Sequence, residues 1–129
     1  MFHYTVETTE KLDHVIAVLE ESLKEEQFGV LWRFNLHDKL KERGFDFEKT
    51  FVVLEVCNPA EANRVISENV LAGYFLPCKI VVYEIEGKTK VGLPRPSAMM
   101  AMMEDPKLAR IAKDVEERLL KCIERVVTR

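Results

Sequence analysis

Residues 50–61 read TFVVLEVCNPAE, and this stretch decides the fold. Alternate positions of its first part are apolar and form one face of a strand: Val52, Leu54 and Val56. Asn58 is a good helix N-cap, Pro59 suits the first helical position, and Glu61 can complete a capping box. The stretch therefore predicts a strand that leads directly into a helix.

The hydrophobic spacing outside this stretch predicts the remaining elements. Alternation predicts four more strands, over residues 2–7, 30–35, 78–86 and 89–93. Helical spacing predicts a long helix that Thr8 caps and Gly29 ends, and another that Asp105 and Pro106 open. Shorter helices are predicted over residues 36–43, over residues 97–103 and after Asn58. Long helices at both ends with hairpins between them predict an α+β, two-layer fold, in which both long helices pack on one face of an antiparallel sheet.

Size and composition exclude several classes of protein. A chain of 129 residues fits a single domain, 1–129, and 47% hydrophobic with 32% charged residues indicates a globular protein. The net charge of -3 argues against a general nucleic-acid binder. No apolar run approaches the roughly 18 residues of a membrane helix, and the N-terminus does not resemble a secretion signal. Three cysteines cannot all pair within one chain, so we expect a cytoplasmic protein with reduced thiols.

The second face of the predicted sheet also carries apolar side chains. Residues 78–83 read CKIVVY, so the strand that they begin is apolar on both sides. One side packs on the helices, and the other needs a cover. A second copy of the chain is the cover that we expect, which predicts a homodimer. Cover by the chain's own short helices is the alternative.

Five motifs, spread over nearly the whole chain, are shared with one known family. They are Phe28-Gly29-Val30; Cys57-Asn58-Pro59 with Ala62; Leu76-Pro77-Cys78 before Val81-Val82-Tyr83-Glu84; Pro96 with Met99-Met100; and Ala112 with Val115-Glu116-Glu117 and Leu119. On these motifs the chain resembles the bacterial and archaeal family called domain of unknown function 302. The resemblance implies a TATA-binding-protein-like arrangement of strand, helix, four strands and helix. No enzymatic activity is established for that family, so the resemblance supplies no catalytic residue. Asn35 departs from the family, which often has an aspartate at the end of the second strand.

Two cysteines at strand borders are the first candidate site. Cys57 precedes a helix N-terminus, whose partial positive charge can stabilise a thiolate; the alternative is an apolar residue packed against Ala62. Cys78 follows Pro77 at the start of a strand. If the two strands are neighbours, the thiols could approach each other, and a disulfide would need Cα atoms within about 7 Å. We expect no metal here, because neither a CxxC motif nor a histidine at ligand spacing is present. Cys122 lies on the core stripe of the last helix.

Polar residues on the sheet face away from the helices are the second candidate. Alternation places a histidine, an arginine and carboxylates on that face: His3, Thr5, Glu7, Arg33, Asn35 and Glu55, with Cys57 beside them. A histidine has a pKa suited to acid–base chemistry near neutral pH, so His3 with Glu7 or Glu55 could form an enzyme site. A solvated sheet face is the alternative explanation.

The remaining motifs lead to the functional prediction. Thioethers at Met99, Met100, Met102 and Met103 could bind copper(I), but apolar packing is the usual use of methionine. The chain lacks a Gly-rich phosphate loop, a serine nucleophile elbow and an HExxH motif. We therefore predict a homodimeric binding or interaction domain without catalytic activity or cofactor. Its partner is a second copy or a small molecule, and neither nucleic acid nor membrane. The alternative is a thiol-dependent protein that uses Cys57 and Cys78. The residues of the candidate ligand or thiol site are Cys57, Cys78, His3, Arg33 and Glu55.

Overall fold

The computed structural model describes residues 1–128 and contains five strands and five α-helices. The strands are β1 (His3–Thr8), β2 (Gly29–Asn35), β3 (Phe51–Cys57), β4 (Cys78–Ile85) and β5 (Lys88–Pro94). The helices are α1 (Leu12–Glu25), α2 (Leu36–Glu42), α3 (Pro59–Glu68), α4 (Pro96–Met100) and α5 (Pro106–Thr128). Two 3-10 turns, Val70–Phe75 and Ala101–Met103, follow α3 and α4.

The five strands form one antiparallel sheet in the order β1-β5-β4-β3-β2. Because β1 and β2 are the two edges, the connection through α1 crosses the whole width of the sheet. Helices α1 and α5 pack against each other on one face, and α3 and α4 pack on α5. The α+β prediction is confirmed. Within residues 1–128 no helix combines the length and the apolar character needed to span a membrane.

The core lies between the helix layer and the inner face of the sheet. The predicted apolar face of β3 is confirmed, because Val52, Leu54 and Val56 are completely buried. Their neighbours on β4 and the facing helices complete the layer: Ile80, Val82, Leu19, Leu23, Leu119 and Ile123 are also fully buried. Full burial of one such side chain contributes about 1.5–3 kcal/mol. The inner face of the sheet is thus fixed by period-2 alternation of large apolar residues.

Two helix caps form as the sequence predicts. The Asn58 side-chain oxygen accepts hydrogen bonds from the backbone N–H groups of Ala60 (3.0 Å) and Glu61 (3.2 Å) at the start of α3. Asp105 Oδ1 accepts hydrogen bonds from the backbone of Lys107 and Leu108 at the start of α5, both at 3.1 Å. The predicted capping box at α3 is wrong in its second half. The Glu61 carboxylate forms ion pairs with Arg64 and Arg118 instead of accepting a hydrogen bond from the Asn58 backbone N–H.

Both predicted ends of α1 are wrong. Thr8 accepts a hydrogen bond from the Glu10 N–H (3.2 Å) in a local turn, and α1 begins only at Leu12. At the other end the helix stops at Glu25, four residues before Gly29. Gln27 adopts the left-handed conformation there (φ 65°). The Phe28 N–H then bonds the Leu23 carbonyl at 2.9 Å, as in a Schellman motif. The helix therefore ends without a glycine in the left-handed position, and Gly29 becomes the first residue of β2.

A β-bulge interrupts β2 after its second residue. Val30 pairs with Val56 of β3, whereas Trp32 pairs with Glu55, so Leu31 has no opposite residue. An extra residue in one strand reverses the faces of all later side chains relative to the partner strand. Residues 32–35 therefore face the side of the sheet opposite to the one that unbroken alternation from Val30 would give them.

The bulge overturns the predicted faces of Arg33 and Asn35. Arg33 pairs with Leu54, and Asn35 pairs with Val52, so both belong to the helix side of the sheet. Trp32 and Phe34 take the face away from the helices. The reason is the unpaired Leu31, whose position in the strand no alternation pattern reveals. Asn35 caps α2 there, accepting a hydrogen bond from the Asp38 N–H at 3.0 Å.

Candidate functional site

The sheet face away from the helices, called here the open face, carries a row of aromatic and aliphatic side chains. We call this set the aromatic row: Trp32, Phe34, Phe51, Val53, Val81 and Tyr83. The Trp32 and Phe34 rings stack with centroids 5.1 Å apart, and the Phe51 and Tyr83 rings stack at 5.4 Å. Trp32 remains 52% exposed. Register pairing thus concentrates large apolar side chains on the open face, where Trp32 is exposed and the other five members of the row are half-buried.

Charged side chains of both signs flank the aromatic row. Glu55 and Lys79 lie opposite each other on β3 and β4. Near the opposite edge of the sheet, Glu7 on β1 accepts a hydrogen bond from Lys88 Nζ (3.0 Å) and lies 3.9 Å from Lys90 Nζ. The hydrogen bond from Lys88 holds the pKa of Glu7 below its ordinary value. The open face is therefore apolar in its centre and mixed in charge at its margins.

The structure does not bring together His3, Arg33 and Glu55. His3 lies on edge strand β1, where its Nδ1 contacts Thr5 Oγ1 at 2.9 Å. Three strand spacings, about 14 Å, separate β1 from Glu55 on β3. Glu7 lies four residues from His3 along the same strand, a distance of about 13 Å. Neither acid–base pair proposed for His3 is assembled, and Arg33 lies on the other side of the sheet.

Cys57 and Cys78 both border a small apolar cavity at the adjoining ends of β3 and β4. The cavity has a volume of about 20 Å³, and its other walls include Val56, Ala62, Met100 and Val115. That volume could hold one water molecule, but a buried water needs two to four polar partners. Nearly all of the wall is apolar. The cavity is therefore a packing gap beside two thiols.

The two thiols are neighbours, as the sequence analysis anticipated for adjacent strands, but they are not bonded. Cys78 pairs with Val56, and Cys57 pairs with Gly29 on the other side of β3. Because successive side chains of a strand point to opposite faces, Cys57 and Cys78 belong to opposite sides of the sheet. Both are free thiols.

Burial determines the protonation state of Cys78 and Cys122. Burial, with a smaller contribution from the neighbouring Cys57, raises the pKa of Cys78 to about 11. Cys78 is therefore a protonated thiol at neutral pH, which is a poor nucleophile. Burial also raises the pKa of Cys122, and its Sγ donates a hydrogen bond to the Ser22 carbonyl at 3.6 Å. The predicted packing role of Cys122 is confirmed, since the residue is completely buried.

An arginine network that the sequence analysis missed lies beside the cavity. Arg118 of α5 reaches Glu26 Oε1 at 3.4 Å and Glu61 Oε1 at 3.2 Å, and it also donates to the Glu26 carbonyl. Its guanidinium lies 5.4 Å from the centre of the Phe28 ring. Asn58 Nδ2 donates to the same Glu26 carbonyl at 3.3 Å. These contacts tie the end of α1 and the start of α3 to α5.

A buried carboxylate is the second group that the sequence analysis missed. Glu116 of α5 is only 4% exposed, and it accepts four hydrogen bonds. Two come from Arg95 Nε (3.2 Å) and Nη2 (3.0 Å), and two from the Ser97 backbone N–H (3.0 Å) and hydroxyl (2.6 Å). Burial raises the pKa of Glu116, but the hydrogen bonds from Ser97 and Arg95 outweigh it and leave the pKa below its ordinary value. A signal existed, because Glu116 stands on the apolar stripe of α5 between Ala112 and Leu119.

The groups that could hold a metal are dispersed. Among residues 1–128, no three histidine, cysteine or acidic side chains converge on a common point. The methionines also separate: Met100 is buried in the core, whereas Met102 is 71% exposed. Met100 has the packing role that the sequence analysis considered for this cluster.

Comparison with known proteins agrees with this structure. The model of the family described as domain of unknown function DUF302 matches residues 4–126. The crystal structure of an uncharacterised conserved DUF302 protein from Bacillus stearothermophilus matches with a TM-score of 0.96, at 55% sequence identity and over 98% of each chain. No curated protein matches. These similarities establish the architecture and leave the activity open.

Proposed function

The chain belongs to the DUF302 family, whose function is unknown, and from that premise we propose that it is a binding domain that pairs with a second copy of itself through the open face. The aromatic row carries this proposal. Single exposed apolar side chains are ordinary on protein surfaces, but a contiguous apolar patch indicates an interaction site. Aromatic side chains are also the usual anchors of protein interfaces.

A second copy of the chain suits this surface in size. Five strands about 4.8 Å apart, each roughly seven residues long, span about 24 Å by about 24 Å. A standard interface buries about 800 Å² on each partner, which is of the same order. The loop before β3 meets the margin of the row, where the Phe47 ring lies 6.5 Å from the Phe51 ring.

The charges of the open face also favour a second copy. Glu55 with Lys79, and Glu7 with Lys88 and Lys90, place both signs on the same surface. A two-fold interface brings identical surfaces together, so it needs a surface that is complementary to itself. A polyanion such as DNA would instead require a uniformly basic surface, and the chain has a net charge of -3.

The proposal includes no chemical step. The distances of His3 from Glu55 and from Glu7 leave neither acid–base pair assembled on this face. We place the protein in the cytoplasm, which three free thiols favour. The thiol-dependent alternative remains a prediction, supported by the adjacency of Cys57 and Cys78 and opposed by the raised pKa of Cys78.

Sedimentation equilibrium tests the proposal. We expect the wild-type chain to be a dimer at micromolar concentration. Trp32→Glu should shift it to monomer, because truncation of one interface anchor costs at least about 2 kcal/mol, or roughly 30-fold in Kd. Val70→Glu is the matched control: Val70 is 72% exposed but lies outside the sheet, so the dimer should persist.

Two outcomes would contradict the proposal. A wild-type chain that stays monomeric throughout the micromolar range removes the second copy. A dimer that Val70→Glu dissociates and Trp32→Glu leaves intact places the interface elsewhere. Circular dichroism of both variants separates loss of association from loss of fold.

A further inference from the structure

We propose that strand β1 pairs with β1 of a second copy of the chain, so that the two sheets join into one continuous antiparallel sheet. We call this pairing the edge contact. β1 is one edge of the sheet, and β5 is the strand hydrogen-bonded to it. The edge contact goes beyond the proposed function and does not depend on it, because it uses the rim of the sheet and leaves the open face free. Together the two contacts would link dimers into larger assemblies.

Three residues of β1 direct their backbone groups away from the sheet. The Phe2 carbonyl accepts a hydrogen bond from the backbone N–H of Arg95 at 2.6 Å, so these two opposite residues are a hydrogen-bonded pair. Hydrogen-bonded and non-hydrogen-bonded pairs alternate along an antiparallel ladder. The N–H and C=O groups of His3, Thr5 and Glu7 therefore point to the free edge, where no group within residues 1–128 bonds them. A strand that pairs at this edge would bond all of these donors and acceptors.

The two edges of the sheet differ in their protection against pairing with another strand. Proteins commonly protect an edge strand with a bulge, a proline or a lysine. β2 has its bulge at Leu31, and α2 follows it directly. β1 instead pairs with β5 in unbroken register from His3 to Thr8, and its sequence HYTVET contains neither proline nor lysine. β1 is therefore the edge that can accept another strand.

The sequence of β1 is complementary to itself in an antiparallel pair, which identifies a second copy as the partner. A two-fold axis at Thr5 places His3 opposite Glu7 of the second copy and Tyr4 opposite Val6 of the second copy. In this register every outward N–H and C=O group of β1 has a partner. A pair of threonines and an aromatic residue opposite a β-branched one are favourable cross-strand pairs, and an imidazole can donate a hydrogen bond to a carboxylate. A two-fold interface requires such self-complementarity and forms each contact twice.

Sedimentation equilibrium of the Trp32→Glu variant measures the edge contact apart from the open face. About six backbone hydrogen bonds along one strand bury far less surface than a standard interface, so we expect this variant to dimerise only at about 0.1–1 mM. Adding Thr5→Pro removes the two central N–H donors, and proline is tolerated in an edge strand where the N–H faces outward. The dissociation constant of the edge contact should then rise by at least about 5-fold, the loss of two hydrogen bonds.

Substitutions at His3 test the register. His3→Glu places like charges opposite each other at both symmetric positions, whereas His3→Lys places opposite charges there. In the Trp32→Glu background the dissociation constant should rise with His3→Glu and fall with His3→Lys, by about 2- to 30-fold in each case. Leu31→Lys is the matched control, because Leu31 is exposed on the other edge strand; it should leave the dissociation constant unchanged.

Two results would overturn the edge contact. One is a Trp32→Glu protein that stays monomeric throughout this concentration range. The other is a dimer of Trp32→Glu that neither Thr5→Pro nor His3→Glu weakens. If circular dichroism shows that Thr5→Pro does not fold, Thr5→Lys replaces it, because the two-fold axis then sets like charges against each other. A micromolar wild-type dimer that Thr5→Pro dissociates and Trp32→Glu leaves intact would support the edge contact and contradict pairing through the open face.

Discussion

Raising the pH from 8 to 10 should destabilise the fold by about 1.4 kcal/mol through Cys78 alone. The ordinary pKa of 9.0 applies to this thiol in the unfolded chain, and burial raises it to about 11 in the fold. Below pH 9 the thiol is protonated in both the folded and the unfolded state, so Cys78 does not lower the free energy of unfolding. Above pH 9 the unfolded thiol ionises while the folded one cannot, and unfolding becomes more favourable.

The size of the effect follows from the two pKa values. At pH 10, one unit above the pKa of the unfolded thiol, ionisation favours the unfolded state about tenfold, or about 1.4 kcal/mol. Above pH 11 the folded thiol also ionises, and the loss levels off at about 2.7 kcal/mol. The loss is confined to the alkaline range and is absent at pH 7.

Urea unfolding of reduced wild type and Cys78→Ala at pH 8 and pH 10 measures this term. Lysines and tyrosines titrate equally in both proteins, so the difference between the two isolates Cys78. The cost of the alanine substitution should therefore shrink by about 1.4 kcal/mol between the two pH values. Val56→Ala is the matched control, because Val56 pairs with Cys78 and cannot ionise. A cost of Cys78→Ala that is the same at both pH values would refute the argument.

Three further substitutions test other parts of the structure. Asn58→Ala removes two cap hydrogen bonds and the bond to the Glu26 carbonyl, so urea unfolding should show a loss of about 1–2 kcal/mol; exposed Asn63→Ala should cost less than about 0.5 kcal/mol. Gly92→Ala should lower Tm, since an ideal Cβ would lie 2.7 Å from Thr5 Oγ1, and adding Thr5→Ala should recover part of the loss; a double variant no more stable than Gly92→Ala would contradict this. Arg118→Met keeps the apolar stem and should cost about 1–3 kcal/mol near pH 7. The hydrogen bond from Arg125, and secondarily that from Arg118, lowers the pKa of Glu26. The cost of Arg118→Met should therefore shrink as acid protonates Glu26. A cost that grows in acid would contradict the network.

Interactions between residues close in sequence explain the parts of the fold that the sequence predicts correctly. The buried face of β3 and the caps at Asn58 and Asp105 each depend on residues within six positions of one another. The end of α1 depends on an equally short backbone pattern that does not need glycine. Gln27 can replace glycine in the left-handed position because the Schellman hydrogen bond from Phe28 to Leu23 compensates its strain. A glycine two residues later therefore misled the prediction.

The polar groups near the cavity could not be located by local patterns. Arg118 meets Glu26 across 92 positions of sequence and Glu61 across 57, so its partners are set by how α1, α3 and α5 pack. Arg118 alone has the sequence features of a solvated helix residue. Glu116 differs, since a carboxylate on an apolar stripe has to find buried donors, and α4 lies beside that stripe. Which donors it finds still depends on the tertiary fold.

The bulge at Leu31 determines what the open face can bind. If Leu31 were instead paired in a regular strand, alternation from Val30 would turn Trp32 and Phe34 toward the helices and place Leu31, Arg33 and Asn35 on the open face. The extra residue reverses that outcome, so Trp32 pairs with Glu55 and the stacked rings lie on the open face. An edge bulge also discourages pairing of β2 with another strand. The proposed association through the face is then favoured over association through the β2 edge. Deletion of Leu31 removes the extra residue but keeps Trp32 opposite Glu55, so association through the face should persist.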